Sequence, residues 1–234
     1  DRIETKTNRT IDNYKSYLRA SSKHDSNWLP AVQVHGEGIF IQFNLEKMKQ
    51  WSLNFEKVQA YRVLVEKVNN APLFQNIGEF SPAFLLVHTF SHLLINQLIF
   101  DCGYSTASLR ERLYVSNTAG IEMCGLLIYT AAGDSEGSLG GLVRMAEPRV
   151  LQLIIKKAIE SSNWCSSDPI CREVGDNGGQ GPAGMNLAAC HNCALLPETS
   201  CEAFNSLLDR GAVTSKDLSG IGYFDELFTD SKNS

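Results

Sequence analysis

Five of the seven cysteines in the 234-residue chain, Cys165, Cys171, Cys190, Cys193 and Cys201, crowd into its last third, separated by 5, 18, 2 and 7 residues. Cys190-His191-Asn192-Cys193 is a CxxC, which on its own fits a metal clamp, a redox couple or a disulfide. A disulfide set needs an oxidising compartment and leaves an odd cysteine among seven. A redox couple needs the CxxC at a helix start after a strand, and AACHNCALLP offers no such setting. A tetrahedral zinc site wants four soft ligands, commonly with one pair presented by a short knuckle. Structural Zn2+ is therefore the expected cofactor, with Cys171, Cys190, Cys193 and Cys201 as the expected ligands and Cys165 in reserve, because the turn CSSDPIC can present either of its sulfurs.

Cys201 follows Thr199 and Ser200, either of which can cap a helix over CEAFNSLLDR and so place the sulfur at the positive end of a helix dipole, which favours thiolate. The glycine-rich stretch between Cys171 and Cys190 carries no helix or strand signal and needs both ends pinned to hold one conformation. His191, inside the knuckle, is expected to point away. Cys102 and Cys124 stand alone in apolar contexts and read as core residues. Four thiolates leave no open coordination position, so this metal is expected to be structural and the chain non-catalytic.

A hydrophobic content of 43% with 20% charged residues is that of an ordinary soluble globular domain. The start DRIETKTNRT has neither an initiator Met nor an apolar leader, so the chain is expected to be a fragment of a longer cytoplasmic protein. The net charge of −5 excludes a general nucleic-acid footprint and leaves only local DNA contact. The apolar window from Ala83 to Phe100 is interrupted by His88, Ser91, His92, Asn96 and Gln97 and is expected to be a buried helix, with no membrane partner.

The expected fold class is α+β: a mixed sheet with packed helices and a C-terminal cysteine-rich zinc-binding lobe. The expected organisation is a polar leader over 1–29, an α+β core over 30–163, the zinc lobe over 164–212 and a C-terminal extension over 213–234. AVQVHGEGIFIQF reads as strand, turn, strand, and LEKMKQWSLNFEKVQAYRVLVEKVNN as one amphipathic helix. Ser81-Pro82 and Gly103 bracket a helix from about Pro82 to Cys102, on which His88, His92 and Asn96 form a polar stripe. RLYVS and MCGLLIYTA read as strands, and PRVLQLIIKKAIESS as a helix.

With CSSDPIC, AACHNC, LPETSCE and LLDR taken together with HTFSHLL, GYSTASLRERLY and LLIYTAAGDSEGSLGGL upstream, the sequence resembles a family of zinc-binding domains. These occur at the C-terminus of MrfA-like DNA-repair helicases and in DrmB, the accessory component of the DISARM anti-phage system. The resemblance covers about residues 30 to 212, and GEGIFIQF and DSEGSLGGLV look closer to the DrmB branch. It implies a zinc-stabilised module attached to, or partnered with, a superfamily 2 helicase, with no established catalysis of its own.

Other motifs offer rival chemistry. HTFSH has the i, i+4 histidines of an HExxH metalloprotease but Thr89 where the general base belongs. GDSEGSLGG lies between a strand and a helix but lacks a P-loop GK[ST] ending, and Asp134 and Glu136 would repel a phosphate. The expected role of Asp134 is to pair with a histidine or with Arg110 or Arg112. The enzyme alternative is a nuclease or hydrolase built on His88, His92 and Asp134; a third reading is a protein-interaction module without DNA contact. The apolar strip Ile221 to Phe228 either docks the helicase or folds back onto the chain's own core, and DNA binding by the chain alone is expected to be weak.

Overall fold

The computed structural model describes residues 35–71, 80–130, 140–215 and 220–229, except for the side chains of 176 and 177. Its elements in chain order are β1 (Gly38–Gln42), α1 (Leu45–Phe55), α2 (Gln59–Asn69), α3 (Pro82–Cys102), β2 (Leu109–Ser116), β3 (Met123–Thr130), α4 (Gly141–Met145), α5 (Pro148–Ser161), α6 (Ile170–Glu173), α7 (Arg210–Val213) and α8 (Glu226–Thr229).

α3 organises the rest. Ser81, in extended conformation, accepts a hydrogen bond from the Phe84 N–H, Pro82 occupies the first turn, and Gly103 closes the helix at φ 73°, a left-handed cap that a side chain would strain. With 21 residues and a mean hydropathy of 1.5, α3 is long and apolar enough to cross a membrane. Here it is the core of the fold: Leu85, Leu86, Val87, Leu94, Ile95 and Leu98 have no solvent exposure, and the sheet, α5 and α7 pack around it. The polar stripe is shorter than its spacing suggests, since His88 and His92 are buried while Asn96 is exposed.

The sheet has the order β1-β3-β2. Both pairings are antiparallel, with Ile39 opposite Ile128 and Leu113 opposite Leu126. The sheet of the described residues is thus antiparallel throughout, where a mixed sheet was expected. β2 and β3 are joined by a short connection, too short for the crossover a parallel pair needs. Leu109, Glu111, Cys124, Leu126 and Ile128 face α3 and are buried. The expected single helix after β1 is two, α1 and α2. The chain turns at Glu56–Val58, with Val58 extended at φ −67° and ψ 124°, and the Arg62 guanidinium donates to the Glu56 carbonyl freed by the break. Apolar spacing misses the turn because both helices bury the same face, Trp51 and Phe55 on one and Tyr61 and Leu64 on the other.

Of the two placements expected for the C-terminal strip, the structure shows the second: it folds back on the core. Trp51 Nε1 donates to the Ile221 carbonyl at 2.8 Å, and the Tyr223 ring sits edge-on to Trp51 and Phe43 at centroid distances of 5.6 and 5.9 Å. The Asp225 carboxylate accepts from the backbone of Ser215, Gly220 and Gly222 and closes the turn. The polar leader over 1–29, the strand reading of 31–34 and the stretch GDSEGSL, Asp134 and Glu136 included, lie outside the described residues.

Candidate metal centre

Four of the five clustered cysteines converge. Cys165 follows α5, Cys171 lies on α6, and Cys190 and Cys193 form the knuckle; their sulfurs all lie within 4.8 Å of one another. Cys165 and Cys190 sulfurs are 3.6 Å apart, Cys190 and Cys193 3.7 Å, and Cys171 and Cys193 3.9 Å. With zinc–sulfur bonds of about 2.3 Å, the edge of a regular tetrahedron is about 3.8 Å. Three of the six sulfur separations therefore match that edge, the others lie within 4.8 Å, and none of the four cysteines is in a disulfide.

The surroundings suit thiolates. Cys165 Sγ accepts from the Ser167 N–H at 3.4 Å and Cys193 Sγ from the Cys190 N–H at 3.2 Å. The Cys193 thiol beside Cys171 brings the latter down to about 4 against its burial, helped by Arg210 and Gln180. Gln180 Nε2 also reaches the carbonyls of Cys171 and Leu187 at 3.1 and 2.7 Å, tying α6 to the strand-like segment before the knuckle. His191 is exposed, turned away from the sulfurs.

Arg210, the last residue of LLDR and without local sequence signal of a role, is the hub of this centre. Its side chain has no exposure. Nη1 donates to the Ser162 carbonyl at 2.9 Å, Nε to the Ala188 carbonyl at 3.2 Å, and Nη2 to Asp168 Oδ1 at 2.9 Å and Cys171 Sγ at 3.6 Å. Asp168 in turn accepts from the Cys165 N–H through its other oxygen at 2.8 Å. One guanidinium thus joins the CSSDPIC turn to the chain entering the knuckle. The glycine-rich loop is held from the other side by Lys67 on α2, whose ammonium donates to the carbonyls of Gly178 and Gly184.

Cys201 lies elsewhere, and not at a helix start: it is extended at φ −109° and ψ 134° after the short turn Glu198–Ser200. No helix forms over 201–209, where Phe204, Asn205 and Leu207 take positive φ. Its sulfur meets His88 Nε2 at 3.2 Å, and His88, His92, Glu111 and Cys201 form a second buried group. The structure so places Cys165, rather than Cys201, beside Cys171, Cys190 and Cys193.

HTFSH stitches α3 to the C-terminal segment. His88 Nδ1 faces the Leu207 carbonyl at 3.3 Å, His92 Nδ1 the Ala194 carbonyl at 2.8 Å, and Thr89 Oγ1 accepts from the Asp209 N–H at 2.9 Å. Glu111 on β2 comes within 3.2 Å of His88 Nε2 and 3.5 Å of His92 Nε2. Burial opposes its charge, but the two histidines hold it well below the usual carboxylate range. Burial likewise would raise the Cys201 thiol, and His88 brings it down to about 7 instead. Glu111 went unread in the sequence although its signal was there: Leu109 and Leu113 flank it at two-residue spacing, so strand alternation puts it on the apolar face, with Arg110 and Arg112 outward. Arg112 pairs with Glu202 at the surface. Cys124 is a core residue, its thiol pushed up to about 12 by burial, and Cys102 is half-buried at the end of α3.

Comparison with known proteins agrees with this geometry. Residues 90–194 match the model of the MrfA Zn-binding domain family. Over 204 residues, 86% of the chain, the sequence is 39% identical to the DISARM protein DrmB of Bacillus paralicheniformis strain ATCC 9945a / NCIMB 11709 / CD-2, and it spans 35% of that protein's length. The donor set fits the ion: four sulfurs at tetrahedral separations would hold Zn2+ as a closed structural centre, supplying cross-linking rather than Lewis-acid chemistry. Residues 90–194 therefore belong to a zinc-binding domain of the MrfA type, within a chain similar over most of its length to a DISARM DrmB protein.

Proposed function

We propose that the chain is a non-catalytic, zinc-stabilised module of an anti-phage defence assembly, supporting a superfamily 2 helicase and adding at most weak DNA contact of its own. The observation that carries the reading is the closed tetrathiolate geometry of Cys165, Cys171, Cys190 and Cys193, which leaves a bound ion no position for substrate. The defence context rests on the similarity to a DISARM protein. Against a hydrolase built on HTFSH stands the burial of His88 and His92, neither of which has any solvent exposure at which a substrate could meet it. The net charge of −5 argues that phosphate contacts come mainly from a partner.

The test is co-expression of the tagged chain with the helicase subunit of a DISARM system, followed by affinity capture at physiological salt. Recovery of the helicase with wild type, and its loss with Cys190→Ser, supports the reading. Capture of no helicase by folded, zinc-loaded protein contradicts it. Tight, salt-resistant DNA binding by the chain alone would place the nucleic-acid work on this chain and contradict the reading as well.

A further inference from the structure

We propose that His88, His92, Glu111 and Cys201 form a second, buried site for a divalent zinc-type ion, sharing no residue with the four-sulfur centre. One ligand atom from each lies within 4.8 Å of all the others. Cys201 Sγ and Glu111 Oε1 each stand 3.2 Å from His88 Nε2, and Glu111 Oε1 is 3.5 Å from His92 Nε2. The two Glu111 separations exceed the roughly 2.7–2.9 Å of charge-assisted N–H···O bonds. They approach the edge of about 3.3–3.7 Å that bonds of about 2.0–2.3 Å give a tetrahedron of nitrogen, oxygen and sulfur.

The outer contacts all orient lone pairs inward. A carbonyl only accepts, so the carbonyls of Leu207 and Ala194 place the proton of each neutral imidazole on Nδ1 and turn a bare Nε2 toward the centre. Carbonyl-bonded Nδ1 with free Nε2 is the arrangement that fixes metal-ligating histidines. Cys201 Sγ accepts from the N–H groups of Ala203 and Asn205 at 3.3 and 3.2 Å, and Glu111 Oε1 from the Glu202 N–H at 3.1 Å. His92 Nε2 is buried and has no hydrogen-bond partner, an orphan aimed into the group. Two neutral imidazoles, a carboxylate and a thiolate together carry two negative charges out of contact with water, which one divalent cation balances. A mixed sulfur, nitrogen and oxygen set suits Zn2+ and excludes the oxygen-seeking Mg2+ and Ca2+. An ion there would cross-link α3, β2 and the segment after Glu198.

The test is elemental analysis of the intact chain purified without added metal. Two zinc ions per folded wild-type chain are expected, falling to one in Cys201→Ser and in Glu111→Gln, with Cys190→Ser removing the other equivalent. One zinc per folded wild-type chain overturns the proposal, as does a wild-type count of two that Cys201→Ser leaves unchanged. Should those variants fail to fold, wild type loaded with Co2+ still decides. Two equivalents with sulfur-to-cobalt charge transfer from all five cysteines of the two groups support the second site. Uptake of one equivalent, or charge transfer from four sulfurs only, refutes it.

Discussion

Arg210 is the side chain whose loss should be felt most widely. It is fully buried and serves two carbonyls, Asp168 and a zinc-side sulfur at once. Arg210→Met keeps much of the volume but strands the Asp168 carboxylate and the carbonyls of Ser162 and Ala188. Removing one partner of a buried ion pair costs about 3–5 kcal/mol, so urea unfolding of the zinc-loaded variant should show a loss of that order, with Arg210→Lys recovering only part because a single ammonium cannot reach all four acceptors. At this scale the sequence was legible where spacing alone sets geometry: Cys190 and Cys193, with two residues between them, must share a point. It was silent where distant chain segments decide, which is why Cys201, near the knuckle in sequence, sits with His88 in space while Cys165 joins the sulfurs. Arginine in LLDR gives no local hint of burial, since its partners lie 22 to 48 residues away.

Elements reveal how short connections are held. Glu37, just before β1, accepts from the Tyr104 hydroxyl at 2.9 Å and from the N–H groups of Gly140 and Val143 at 2.9 and 3.1 Å, tying the strand to the first turn of α4. Burial raises its carboxyl, but the hydrogen bonds from Val143, Leu142, Tyr104 and Gly140 together hold it below the ordinary carboxyl value of 4.5. Because the folded value is the lower one, its contribution is complete above 4.5 and is lost as pH falls through the lowered value. Glu37→Gln should therefore weaken stability at neutral pH and flatten the fall of stability below pH 4.5, as measured by urea midpoints across the acid range; an unchanged acid slope would show that Glu37 does not report on this contact. Gly179 holds the glycine-rich loop at φ 85°, and a Cβ there would meet the carbonyls of Gly184 and Asn186. Gly179→Ala should cost about 1–3 kcal/mol through backbone strain and speed zinc loss to a chelator, whereas Gly120→Ala, with open space around its Cβ position, should leave release unchanged. α3 was fully legible because its cap, proline and terminal glycine are local signals. The break between α1 and α2 was not, because it preserves the apolar face that periodicity detects.

For the molecule as a whole, the C-terminal strip is part of the fold rather than an appendage. Tyr223 is 8% exposed, with its ring against Trp51, Phe43 and Phe224. Tyr223→Ala should lower stability by about 3 kcal/mol in denaturant unfolding without changing zinc content; a shift below about 0.5 kcal/mol, the size usual for surface changes, would return the strip to the surface. The class of the fold and the presence of a zinc centre followed from cysteine spacing and apolar patterning. The pairing of all strands antiparallel, and the separation of five cysteines into two groups, needed the third dimension. The account turns on Cys165, Cys171, Cys190 and Cys193 acting together as one zinc centre. Its most direct test is the zinc content of purified Cys165→Ser protein beside wild type and Cys102→Ser. Cys165→Ser is predicted to carry one zinc fewer per chain than the other two. A full wild-type complement of zinc in folded Cys165→Ser would contradict it.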